Sequence, residues 1–125
     1  CERIIRGGRV KVMLKIKVQF VADAPFFGPG VCELLERIDE TGSLQKACLT
    51  MNLSYSKGSR MLRGLDRHYG RPMVERRVGG PDGGGSTLTE EGRRLVDTYK
   101  KMLAEVECDT ERLYKKYFEE GDGLQ

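Results

Sequence analysis

This sequence has no tryptophan, one histidine (His68) and only four cysteines, and the last two scarcities weigh against a metal centre. One imidazole cannot supply a multi-histidine metal centre, and Cys1, Cys32, Cys48 and Cys108 form no C-x-x-C pair. No metal or other cofactor is expected, and His68 reads as a surface or packing residue at a helix end. Cys32 and Cys48 fall at apolar helical positions, where a thiol behaves as a small hydrophobe; all four cysteines are expected to be reduced, in a cytoplasmic protein. No apolar run approaches the roughly 20 residues of a membrane span. Lys11, Lys15 and Lys17 interrupt Val10 to Ala22, so no secretory signal is expected there either. There is no Ser-His-Asp set and no carboxylate pair in an apolar setting, so the chain does not read as an enzyme. Cys1 in place of an initiating methionine is read as a trimmed or altered start.

What is present is a small, charged chain. Its 125 residues are 38% hydrophobic and 33% charged, which fits one domain with a modest core. The formal net charge is only +3, but it is unevenly distributed. Between Ser43 and Arg77 stand Lys46, Lys57, Arg60, Arg63, Arg67, Arg71, Arg76 and Arg77 against Asp66 and Glu75, a net of +6 that leaves −3 for the rest. Charge concentrated on one segment points to a polyanion-facing surface.

Apolar Val10, Val12, Leu14, Ile16, Val18 and Phe20 alternate with Lys11, Met13, Lys15, Lys17 and Gln19. That period of two predicts a half-buried strand whose lysine face keeps a sheet edge soluble. Asp23-Ala24-Pro25 turns the chain. A helix follows from about Pro29 to Glu40, with Val31, Leu34, Leu35 and Ile38 on one face and Thr41-Gly42 at its end. Ser43 caps the next helix, which buries Leu44, Ala47, Cys48 and Met51. Asn52-Leu53 makes a turn, and Ser54 caps a helix from Tyr55 to about Tyr69. Gly58, Leu62, Leu65 and Tyr69 form its packing face; Ser56, Arg60, Arg63 and Arg67 cluster on the opposite side. Gly64, in its interior, costs about 1 kcal/mol relative to alanine. Close approach of a DNA backbone or of another helix would account for it.

Gly70-Arg71-Pro72 breaks that helix. Met73 to Val78 reads as a strand, Gly79 to Gly85 as a loop and Ser86-Thr87-Leu88 as the returning strand of a wing. The loop has no lysine and does not open a helix, so a phosphate-cradling nucleotide site is disfavoured. Thr89, followed by Glu90 and Glu91, starts a helix that can run to Phe118. Val96, Tyr99, Leu103, Val106, Thr110, Leu113 and Tyr117 form a heptad-like seam along it. The expected fold is mainly α with a little β: a winged helix-turn-helix over 1–88 with an N-terminal strand, and a long dimerisation helix and tail over 89–125 as part of the same domain. Val96, Tyr99, Leu103, Val106, Leu113 and Tyr117 are the expected dimer interface, and Gly121 to Gln125 a frayed tail.

Gly42 to Arg77 resembles the DNA-binding domain of LysR-type transcription regulators, through Gly-Ser, small residues, Leu-Ser, a basic helix and Gly-x-Pro-x-x-x-Arg. A closer resemblance is to the N-terminal domain of the molybdate-responsive ModE regulators and their single-domain relatives. It is carried by Phe27-Gly28-Pro29-Gly30, Ile38 to Ser43, Leu53-Ser54-Tyr55-Ser56-Lys57 and the glycine wing Gly79 to Ser86 followed by Leu88-Thr89, and spans about Val10 to Leu103. It implies a homodimer that binds double-stranded operator DNA, with the 55–69 helix in the major groove and the wing on the backbone. The expected DNA contacts are Ser43, Gln45, Ser54, Tyr55, Ser56, Lys57, Arg60, Arg63, Arg67, Arg76, Arg77 and Ser86. Gly58-Ser59 stands where such regulators often carry Ala-Trp, which would leave that helix interface less filled. No molybdate is expected, since no sensing domain follows the long helix. A winged-helix protein-interaction module and a non-specific architectural DNA binder are the alternatives.

Overall fold

The computed structural model describes residues 5–7, 10–12, 14–77 and 85–119. They divide between two compact units, Val18–Asp97 and Cys1–Lys17 with Thr98–Gln125.

The first of these units opens with strands β3 (Phe20–Val21) and β4 (Pro25–Phe27), which follow β1 (Ile5–Gly7) and β2 (Val10–Val12) of the other unit. β3 and β4 pair antiparallel, Phe20 against Phe27 and Val21 against Pro25, around a turn at residues 22–24. Helix α1 covers Pro29–Thr41, with proline in its first turn, where the missing N–H costs nothing. Gly42 ends it in the left-handed conformation (φ 72°), its N–H donating to Ile38 O. Helix α2 (Leu44–Thr50) is capped by Ser43, whose Oγ accepts from Lys46 N–H at 3.2 Å. Asn52, at φ 56°, carries the chain through the turn; asparagine tolerates the left-handed region better than most residues. Helix α3 (Tyr55–Tyr69) starts at Ser54, whose Oγ accepts from Lys57 N–H at 3.1 Å, and ends at Gly70 (φ 69°).

The core of this unit is Phe27, Leu34, Leu35, Ile38, Leu44, Ala47, Cys48, Leu62 and Leu65. Its helices supply apolar faces at the spacing expected of amphipathic segments. Strands β5 (Val74–Arg77) and β6 (Gly85–Leu88) form the antiparallel wing, Val74 opposite Leu88 and Arg77 opposite Gly85. The wing loop Val78–Gly84 lies outside the described residues. Helix α4 (Glu90–Tyr114) begins at Thr89, whose Oγ1 accepts from Gly92 N–H at 3.1 Å and donates to Pro72 O at 2.8 Å. An ion pair between Arg93 and Asp39 (3.2 Å) ties the start of α4 to α1.

In the other unit, β1 and β2 form a short hairpin, Ile5 opposite Val12. The later part of α4 runs into a π-helical turn, Lys115–Glu119. Leu14, Thr110, Leu113, Tyr114, Tyr117 and Phe118 line an open apolar hollow of about 390 Å³. The tail from Gly121 lies outside the described residues.

Four expectations need correction. The alternation from Val10 to Phe20 is not one half-buried strand: residues 14–19 belong to no regular element, and Leu14 and Ile16 are exposed. β1 pairs β2 only as far as Val12 and β4 pairs only Phe20 and Val21, so neither ladder extends through the stretch between them. Val96 and Tyr99 are buried within a single chain, so they are core positions and not free dimer contacts. A heptad seam cannot distinguish an internal partner from an external one. Cys108 is disulfide-bonded, against the expectation of four reduced thiols, while Cys32 and Cys48 are buried thiols outside any disulfide. Sequence spacing is silent on this, because a disulfide needs spatial proximity alone. Finally, the α2–α3 interface is not underfilled at Gly58. A Cβ built there would fall on Cys48 Sγ, so the thiol already occupies the space that a larger residue at 58 would fill.

Candidate nucleic-acid interface

The basic face of α3 follows from helical periodicity. Gly58, Leu62 and Leu65 turn inward and are buried, which sends Ser56, Lys57, Arg60, Arg63 and Arg67 outward, where all five are exposed. Tyr69, expected on the packing face, is partly exposed at 38%. Its ring lies at the protein surface beside Phe26 and His68. His68 itself stacks on Phe26 with centroids 3.8 Å apart, a packing role at the helix end as expected.

No described carboxylate neutralises the charge on this face. The ion pairs of the described residues engage Arg37, Arg71, Arg93, Arg94 and Arg112, and none involves Lys57, Arg60, Arg63 or Arg67. Asp66, the only acid on α3, is used elsewhere: its Oδ1 accepts from Met73 N–H at 3.0 Å and anchors the segment between α3 and β5. A surface helix laced with salt bridges would look different.

The remaining expected contacts separate by environment. Gln45 is exposed on α2, and Ser43 and Ser54 use their hydroxyls as caps. On the wing Arg76 and Arg77 are exposed, but Ser86 is buried. Its N–H donates to Gly42 O at 2.7 Å, which docks β6 on the turn after α1. Burial on that side leaves Ser86 with a structural role. One relation was invisible in sequence: Arg76 Nη1 donates to Tyr55 Oη at 3.2 Å, and its guanidinium lies 6.0 Å from the Tyr55 ring centroid. The wing is thereby joined to the first residue of α3. An arginine and a tyrosine 21 residues apart carry no sequence signal of such a contact.

Gly64 stands on the flank of the basic face, and no described atom comes within 4 Å of a Cβ placed on it. Another helix of this chain is therefore not the reason for the glycine. Gly64→Ala is expected to raise stability by about 1 kcal/mol through helix propensity alone, read as a higher midpoint in thermal unfolding. A lower midpoint would contradict the open environment.

No helix among the described residues is long and apolar enough to cross a membrane, and they hold no cluster of metal-binding side chains.

Known proteins share this arrangement. The family described as bacterial regulatory helix-turn-helix protein, lysR family, matches residues 31–93. The transcriptional regulator ModE of Haemophilus influenzae is 34% identical over 89 residues, 71% of this chain and 34% of that protein. The molybdenum transport protein ModE of Azotobacter vinelandii is 34% identical over 83 residues, 66% of this chain and 31% of its own length. The chain thus spans about a third of the length of these curated relatives. Among solved structures, full-length LysG from Corynebacterium glutamicum with bound effector Arg superposes with a TM-score of 0.51 at 27% identity, over 73% of this chain and 31% of LysG. Full-length CbnR complexed with its target DNA gives 0.53 at 16% identity, over 69% of this chain and 28% of CbnR, a likeness of fold alone.

Proposed function

Because this chain belongs to the lysR family of bacterial regulatory helix-turn-helix proteins, we propose that it is a sequence-specific DNA-binding transcription regulator that acts as a homodimer. The observation that carries this reading is the basic face of α3, four cations with no counter-charge among the described residues, beside a two-stranded wing. Helix diameter and the roughly 12 Å major groove match, so α3 can lie in the groove. Arginine reads guanine O6 and N7 bidentately and also clamps phosphates. Arg60 and Arg63 are assigned to base edges or phosphates, Lys57 and Arg67 to the backbone, and Gln45, Ser56 and Arg77 to the edge of the same footprint. The similarity to ModE of Haemophilus influenzae, named a transcriptional regulator, supports the reading, as does the fold shared with CbnR, solved on its target DNA.

The dimer would use the part of the α4 seam that a single chain leaves uncovered. Leu103 and Val106 are half-buried, while Leu113 and Tyr117 are exposed at 43% and 56%. A two-fold dimer reads a two-fold site, so the operator should be palindromic.

The test is selection of bound fragments from genomic DNA, followed by titration of the recovered site at several salt concentrations. A palindromic motif whose affinity falls steeply with salt is the expected result. Unbiased fragments at weak affinity would point to an architectural binder, and no salt-dependent binding to a protein-interaction module. Arg60→Ala should weaken binding to the best site by about 1–3 kcal/mol and relax preference at one base pair. Unchanged binding by the folded variant would remove Arg60 from the interface. If DNA backbone approaches Gly64, Gly64→Ala should bind more weakly while being more stable.

A further inference from the structure

We infer that Tyr55 is a positioning residue for Arg76, and that the pair locks the wing to the start of the recognition helix so that the guanidinium is aimed before DNA arrives. The inference rests on the DNA-binding reading above and deepens it. Arg76 is one of the exposed cations of the interface, and one side chain holds it: Nη1 donates to Tyr55 Oη at 3.2 Å, with the guanidinium 6.0 Å from the Tyr55 ring centroid. The bond uses one N–H of a planar fork, whose other N–H groups stay available.

The strand geometry makes the arrangement specific. Side chains alternate across β5, so Arg76 shares a face with half-buried Val74 and points to the α3 side, while Glu75 and Arg77 project from the opposite face. The nearest acid in sequence is therefore turned away, and no described carboxylate pairs with Arg76. Tyr55 offers a neutral acceptor in its place. A neutral partner fixes the direction of the guanidinium without cancelling its charge, which a salt bridge would do. Tyr55 is itself 49% exposed and immediately follows the Ser54 cap, so the held cation lies next to the N-terminal turn of α3. Ordering a long side chain in advance lowers the entropic cost of ordering it on binding.

The test is a double-mutant cycle on the recovered DNA site, with Tyr55→Phe, Arg76→Ala and the pair of changes combined. Tyr55→Phe keeps the ring and removes only the acceptor oxygen. It is expected to weaken binding about two- to tenfold in the wild-type background, the loss that freeing one long side chain predicts. In the Arg76→Ala background it should have no further effect. Arg76→Ala should also make the log-log salt dependence shallower by about 1, whereas Arg76→Lys should keep the slope but lose the coupling to Tyr55. Unfolding midpoints of all variants should match the wild type, since both side chains are at the surface. If the two losses multiply independently, or if Tyr55→Phe changes base preference whatever stands at 76, Tyr55 contacts DNA directly and the inference is overturned. If wild-type protein shows no salt-dependent DNA binding, it is the functional reading that falls.

Discussion

Gly92→Ala is expected to destabilise the protein by about 1–3 kcal/mol or more, although the substitution lies in a helix and is favoured by propensity by about 1 kcal/mol. The reason is the first turn of α4. A Cβ on Gly92 would collide with Met73 O, with Met73 C and Cα close behind. The obstacle is backbone, which cannot rotate aside as a side-chain tip can. The same carbonyl accepts from Thr89 N–H at 3.0 Å, and Thr89 Oγ1 donates to Pro72 O at 2.8 Å. Relieving the collision means moving the segment that joins α3 to the wing and loosening the cap that starts α4. Equilibrium urea unfolding followed by circular dichroism measures the change. A variant as stable as wild type, or more so, would show that α4 can withdraw from Met73 without loss. The contrast with Gly64 isolates the cause: both are helical glycines, but only one has an occupied space beside it.

The second large effect is a coupled one. Gly58→Ala alone should cost more than 1 kcal/mol, because the new methyl group falls on Cys48 Sγ inside the α2–α3 interface, with Leu44 Cδ1 at 3.5 Å. Cys48 is buried and its thiol is pushed above its ordinary pKa by that burial, so it behaves as a small neutral hydrophobe. Cys48→Ala alone should also cost stability, by leaving a void where the sulfur packed. The two changes combined exchange a sulfur on α2 for a methyl on α3 and should restore most of the loss. A coupling of about 0.5–3 kcal/mol is expected for side chains that share one space. Additive losses in urea unfolding would mean that the helices separate to admit the extra atom. The geometry of this interface sets the angle at which α3 leaves the domain, so the same variants would weaken DNA binding on the proposed reading.

The sequence by itself determined every feature whose cause lies within a few residues. Ser43 and Ser54 each place a hydroxyl three residues before an N–H left open by a starting helix, and the structure uses both. Gly42 and Gly70 adopt the left-handed turns that end α1 and α3. The 3.6-residue period turned Leu62 and Leu65 inward and three arginines outward on α3, so the basic face is legible in the sequence. What the tertiary structure alone decided were the relations between distant segments. Alternation from Val10 to Phe20 signals a strand, but a strand also needs a neighbouring ladder, and neither the β1–β2 nor the β3–β4 ladder extends through residues 14–19. The α4 seam marked Val96 and Tyr99 as apolar contacts without saying that their own chain would cover them. Ser86 looked like a wing contact until β6 docked on Gly42. The Tyr55–Arg76 contact and the collisions awaiting a methyl group at Gly58 and Gly92 belong to the same class. Local signals act through backbone geometry that each residue carries with it, whereas packing depends on which surfaces the whole chain brings within a few ångströms of each other.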